Sequence, residues 1–182
     1  ALSVEEVSEA DELDRYRDEW QALVDRSASA SLFQTYEWFR AWRDNFWQDR
    51  PLALFFVRWR GHLLGIVPAA RDDHGALQCR RSLVVPGRFL AGRADLLVDD
   101  PGEDRTGPVL DAVVHHLRAT RRRLRLAFKQ VPTDSHLLAA LPAACLDDER
   151  HEPCGDGGAA DDAHYREVGA VAVLGEGADP PG

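Results

Sequence analysis

Metal ligation, nucleophilic catalysis and phosphate binding each need particular residue types at particular separations, and the sequence holds partial versions of all three. Cys145, His151, Cys154 and His164 carry thiol and imidazole groups suited to zinc. They include no Cys-x-x-Cys pair and fall in or beside a Gly- and Ala-rich stretch, so no metal site is expected. Gly155, Gly157 and Gly158 neither follow a strand nor open a helix, as a loop that cradles phosphate must. Ser135 and His136 are sequence neighbours, whereas a nucleophile and its base meet through the fold, so helix capping accounts for Asp134 and Ser135 more simply. His115 and His116 adjoin on a helical stretch, where consecutive side chains diverge. Arg121, Arg122 and Arg123 offer a cationic cluster for an anion, but the end of a helix favours the same charges through its dipole.

The most informative residues lie between Ser31 and Trp42, where polar groups are set among large aromatics at the start of a helix. Gln34, Tyr36, Glu37 and Trp38 are the candidate substrate-binding residues: the carboxylate of Glu37 suits an ammonium group, and Gln34 and Tyr36 suit a polar ligand. The competing explanation is packing, with Phe33, Trp38 and Trp42 fastening the helix to a sheet and Glu37 complementing the helix dipole.

The elements that must position these residues follow from periodicity. Leu13, Tyr16, Trp20, Leu23 and Val24 recur at helical spacing between Asp11 and Arg26. After a Ser/Ala linker, Thr35 is placed to cap a second helix carrying Trp38, Phe39, Trp42 and Phe46. Leu52 to Trp59 and Leu63 to Ala69 read as an antiparallel hairpin turning at Arg60, Gly61 and His62. Asp72, Asp73, His74 and Gly75 signal a second turn before a strand from Leu77 to Val85, and Ala94 to Val98 is a short further strand. Pro108 to Thr120 presents Val109, Leu110, Val113, Val114 and Leu117 on one helical face, and Leu124, Leu126 and Phe128 then alternate as in a strand. Thr133 or Asp134 is placed to cap a last helix with Leu137, Leu138 and Leu141, stopped by Pro142. The expected fold class is α/β (α+β), a mixed and largely antiparallel sheet flanked by helices.

Four groups of residues, taken together, resemble the N-terminal half of GNAT-fold acyltransferases related to the cellulose-biosynthesis protein CelD and the FemAB aminoacyltransferases. They are Trp20 with Leu23; Phe33, Gln34, Glu37, Trp38 and Trp42; the Gly61-x-Leu63-x-Gly65-x-x-Pro68 hairpin with Val57; and Val131, Pro132, Asp134 and Ser135. The resemblance covers about residues 13 to 141. It implies a protein of two GNAT-like halves that transfers an acyl group from acetyl-CoA, another acyl-CoA or a related ester to an amine, on a small molecule or a cell-envelope precursor. The first half contributes to the acceptor groove, and the donor contacts lie mostly in a second half that this chain does not match, so the chain is expected to be inactive alone. No acid or base is fixed by the shared motifs. The alternative is a non-catalytic binding or partner-contact module.

Composition bounds the rest. The chain has 182 residues, 45% of them hydrophobic, 29% charged, and a net charge of −9, which disfavours a nucleic-acid partner. Three cysteines at irregular spacing suit reduced thiols, the apolar runs are too short for a membrane span, and the acidic N-terminal stretch lacks an export signal, so a cytoplasmic location is expected. The domain is expected to span residues 1–145. From 146 to 182 the composition turns to Gly, Ala, Asp and Glu, as either a disordered linker or a shifted reading frame in a GC-rich gene would produce; Lys129 is the only lysine.

Overall fold

The computed structural model describes residues 1–48, 51–72, 81–85, 96–100, 105–120, 124–128, 131–132, 135–140, 165–166 and 170–174. The turn at Asp73 to Gly75, the Arg121 to Arg123 cluster, Thr133, Asp134, Leu141, Pro142, all three cysteines, His151, His164 and the Gly155 to Gly158 run lie outside these residues.

Strand β1 (Leu2–Val7) opens the chain, followed by a 3-10 segment (Ala10–Tyr16) that runs directly into helix α1 (Arg17–Arg26). A second 3-10 turn (Leu32–Gln34) leads into α2 (Tyr36–Phe46). Then come β2 (Leu52–Trp59), β3 (His62–Asp72), β4 (Arg81–Val85) and the short β5 (Leu97–Val98). Helix α3 (Thr106–Thr120) is followed by β6 (Leu124–Phe128), β7 (Val131–Pro132), α4 (His136–Ala140), β8 (Tyr165–Arg166) and β9 (Ala170–Leu174).

The main sheet has the order β1-β2-β3-β4-β6-β9, with β5 pairing β3 off this path at Gly65 and Ile66. All of its pairings are antiparallel except β4 with β6, which run parallel and are joined through α3. This is the mixed, largely antiparallel sheet with flanking helices that the sequence patterns predict. The hairpin turn is the two-residue loop Arg60-Gly61, with φ of 50° and 85°. Successive positive φ values match the twist of the flanking strands, and glycine holds such a conformation without strain.

β2 is buried at six consecutive positions because helices cover both faces of the sheet. One face packs Leu52, Leu54 and Phe56 against α1 and α2 through Trp20, Leu23, Tyr36 and Phe39. The other packs Ala53, Phe55 and Val57 against Val109, Val113 and Leu117 of α3. Leu64 is an extra residue in β3, since Gly65 lies opposite Val57 and Leu63 opposite Arg58. The bulge turns Gly65 toward α3, where a Cβ would stand 2.8 Å from Val109 Cγ1.

Several elements differ from expectation. β1 is a strand where the acidic N-terminal stretch carried little strand signal; Leu2 and Val4 pack on the α3 side and Val7 on the α1 side. The first predicted helix begins as a 3-10 turn and becomes α-helical only at Arg17. Phe46, expected on the buried side of α2, is exposed, whereas Tyr36 at the other end of the helix is buried. The cap of α4 that the described residues show is Ser135, whose Oγ accepts from the Leu137 amide at 3.0 Å. After residue 145 the structure holds two strands, β8 pairing with β7 and β9 pairing with β6, and there departs from the expected absence of regular structure. The expected domain boundary itself falls outside the described residues.

Candidate functional site

The segment singled out by its mixture of polar and aromatic residues begins with a capping box: the Gln34 side chain accepts from the Ser31 amide at 2.9 Å and from Ser31 Oγ at 3.2 Å. Gln34 is almost fully buried, its Nε2 donates to the Leu96 carbonyl at 2.7 Å, and its own carbonyl accepts from Trp20 Nε1 at 2.8 Å. One side chain and its carbonyl therefore connect α1, the 3-10 turn and the residue before β5. Removing the side chain takes away the buried bond to Leu96 and both bonds to Ser31, so Gln34→Ala is expected to destabilise the fold by about 1–2 kcal/mol, read as a lower urea midpoint at unchanged m-value.

Tyr36 buries its ring edge-on to Trp20 at 6.0 Å and donates its hydroxyl to the Asp14 carboxylate. Arg40 Nη1 donates to the same Asp14 oxygen at 3.0 Å and to the Tyr36 hydroxyl at 3.4 Å. Burial, reinforced by the bond to Asp14, raises the Tyr36 phenol, while that bond holds the Asp14 carboxyl below its ordinary range. Glu37 lies in the first turn of α2, where its own backbone amide, then the Arg17 guanidinium, lowers its pKa. Arg17 reaches one Glu37 oxygen with both Nε (3.2 Å) and Nη2 (3.0 Å), and both side chains are more than half exposed.

Depressed carboxyls stabilise the fold above the ordinary carboxylate range, and the contribution is lost as pH falls through the lower folded-state values. The double variant Asp14→Asn, Glu37→Gln is therefore expected to lose less stability than the parent between neutral and strongly acidic pH, measured as the shift in urea midpoint.

Trp38 is half-buried, edge-on to Phe33 at 5.7 Å, and its amide donates to Thr35 Oγ1, which is the cap expected for α2. The four candidate residues fall within five positions but do not converge: Gln34 and the Tyr36 ring turn into the core, whereas Glu37 and Trp38 lie toward the surface. Trp38 and Trp42 only flank the core cluster; the fastening expected of them is carried by Trp20, Tyr36 and Phe39.

A second location is set by topology. The one parallel pairing among the described strands joins β4 and β6, whose ends Val85 and Phe128 are in register. It was not readable from local periodicity, because parallel pairing joins segments separated by a whole helix.

A third location is a groove of about 480 Å³ between β1 and α3, walled by Leu2, Val4, Pro108, Ala112 and Ala119, with Asp111, His115 and His116 as its polar groups. The two histidines diverge as helical neighbours must: His115 is exposed, while His116 turns inward, edge-on to Phe55 at 6.1 Å, with Nε2 3.7 Å from Glu6 Oε2. Missing β1 in the sequence meant missing this groove, although the alternation of Leu2 and Val4 with Ser3 and Glu5 was a signal for it.

Among the described residues, no group of three or more His, Cys, Asp or Glu is arranged to hold a metal, and no helix is long and apolar enough to cross a membrane. No protein-family model matches the sequence, and no curated protein matches it.

Proposed function

We propose that this chain is the acceptor-side half of a GNAT-like N-acyltransferase, taking part in transfer of an acyl group from acyl-CoA to an amine and inactive without a second half. The observation that carries this reading is the β4-α3-β6 unit, a single parallel pair inside an otherwise antiparallel sheet with helices on both faces. This agrees with the mixed, helix-flanked sheet that the resemblance implies.

The chemistry is attack of an amine nitrogen on a thioester carbonyl: the C–N bond forms, the C–S bond breaks, the nitrogen loses a proton, and the thiolate takes one up. Main-chain amides at strand ends can polarise the carbonyl, and a positioned base must remove the ammonium proton before attack. Glu37 is the carboxylate proposed to position the ammonium, while Gln34 and Tyr36 act from the core by holding the start of α2 in place. The internal hydrogen bonds of Gln34 and the Tyr36–Asp14 contact favour a second reading, a non-catalytic binding module in which this segment is structural.

Calorimetric titration with acetyl-CoA separates the two. A micromolar dissociation constant would mark donor contacts within this chain itself and favour the acyltransferase reading; no heat at millimolar acetyl-CoA would exclude donor binding by this chain and favour the binding module.

A further inference from the structure

Glu37 and the ring of Tyr36 together present what holds a cation, a carboxylate beside an aromatic face. A cation already stands there. The Arg17 guanidinium lies 5.8 Å from the centre of the Tyr36 ring and donates Nε and Nη2 to one Glu37 oxygen, at 3.2 and 3.0 Å. Arg17 makes no other hydrogen bond among the described residues. The other carboxylate near it, Asp14, accepts instead from Tyr36 and Arg40.

The bridge joins two helices at their starts: Arg17 is the first residue of α1 and Glu37 the second of α2. The helix dipole favours negative charge at such a position and disfavours positive charge. Glu37 therefore suits its own helix, whereas Arg17 gains nothing from α1 and is held by its contact with α2. Both side chains are more than half exposed, so the bridge is open to solutes and weak enough to be exchanged.

We infer that Arg17 is an internal stopper on the ammonium site assigned to Glu37: its guanidinium occupies the place of the acceptor's ammonium group, and a primary amine binds by displacing it. This rests on the proposed role of Glu37 and adds the regulation of that site. A primary ammonium can replace both contacts, the charge-assisted hydrogen bond to the carboxylate and the approach to the ring. Arg17 is tethered to α1, so its effective concentration at Glu37 is set by the fold, and the apparent affinity for a free amine falls by the fraction of molecules in which the bridge is open.

The test uses the full chain and n-butylammonium, followed by NMR at the Glu37 carboxyl and the Arg17 Nε–H. Binding is expected to move the Glu37 signal, to speed exchange of the Arg17 Nε–H with water, to be lost in Glu37→Gln, and to be about two- to fivefold tighter in Arg17→Gln, the gain expected from removing a surface ion pair. Arg17 is exposed, so this variant leaves the core intact. Butyrate, of equal length and opposite charge, is expected to leave Glu37 unmoved. Equal or weaker binding by Arg17→Gln would overturn the stopper while keeping Glu37 as an ammonium contact. No response of Glu37 in either protein, or unchanged binding by Glu37→Gln, would overturn the stopper and the proposed role of Glu37 together.

Discussion

Trp20→Ala is expected to destabilise the fold by about 4–5 kcal/mol, the largest effect of any single truncation considered for this chain. Trp20 is almost fully buried and meets Tyr36 (6.0 Å), Phe39 (5.4 Å) and Phe56 (6.1 Å), so its removal opens a cavity where α1, α2 and the sheet come together. It also takes the donor from the buried Gln34 carbonyl. Large-to-small aromatic changes in cores typically cost about 3–5 kcal/mol, and a stranded carbonyl puts this site at the upper end. Trp38→Ala, at a half-buried site, is expected to cost less than half as much. Urea denaturation of the two variants at low temperature checks this, and equal losses would mean that the indole of Trp20 is not the centre of the helix–sheet contact.

The second large effect is expected at Gly65. An alanine Cβ there would stand 2.8 and 2.9 Å from the two γ-carbons of Val109 and 3.3 Å from the Leu97 carbonyl oxygen. Val109 is itself fully buried on α3, so it has no free space to retreat into, and Gly65→Ala is expected to cost about 2–3 kcal/mol. The mechanism is steric and pairwise. Val109→Ala alone is also destabilising, because it removes buried methyl groups, but the double variant should be more stable than the sum of the single losses predicts. Strict additivity in this cycle would show that the strand–helix approach at Gly65 does not set the cost.

Local chemistry in the sequence determined several features without help from the fold. Positive φ at Arg60 and Gly61 follows from a two-residue hairpin loop, Thr35 caps α2 because its hydroxyl can take the Trp38 amide, and Val109, Val113 and Leu117 share one face of α3 by helical spacing. Each of these rests on interactions within a few residues. What the tertiary structure alone decided involves groups far apart in the chain. Gln34, whose type suggests a ligand contact, instead bonds to Leu96, 62 residues away. Tyr36 enters the core with its hydroxyl held by Asp14, 22 residues away, and by Arg40. β1 forms because β2 offers it a ladder, which supplies the order that its short acidic sequence lacks. Main-chain hydrogen bonds between distant strands carry no imprint on local residue spacing, so the parallel β4–β6 pair, on which the proposed function rests, and the place of β1 beside β2 emerge only once the chain is folded.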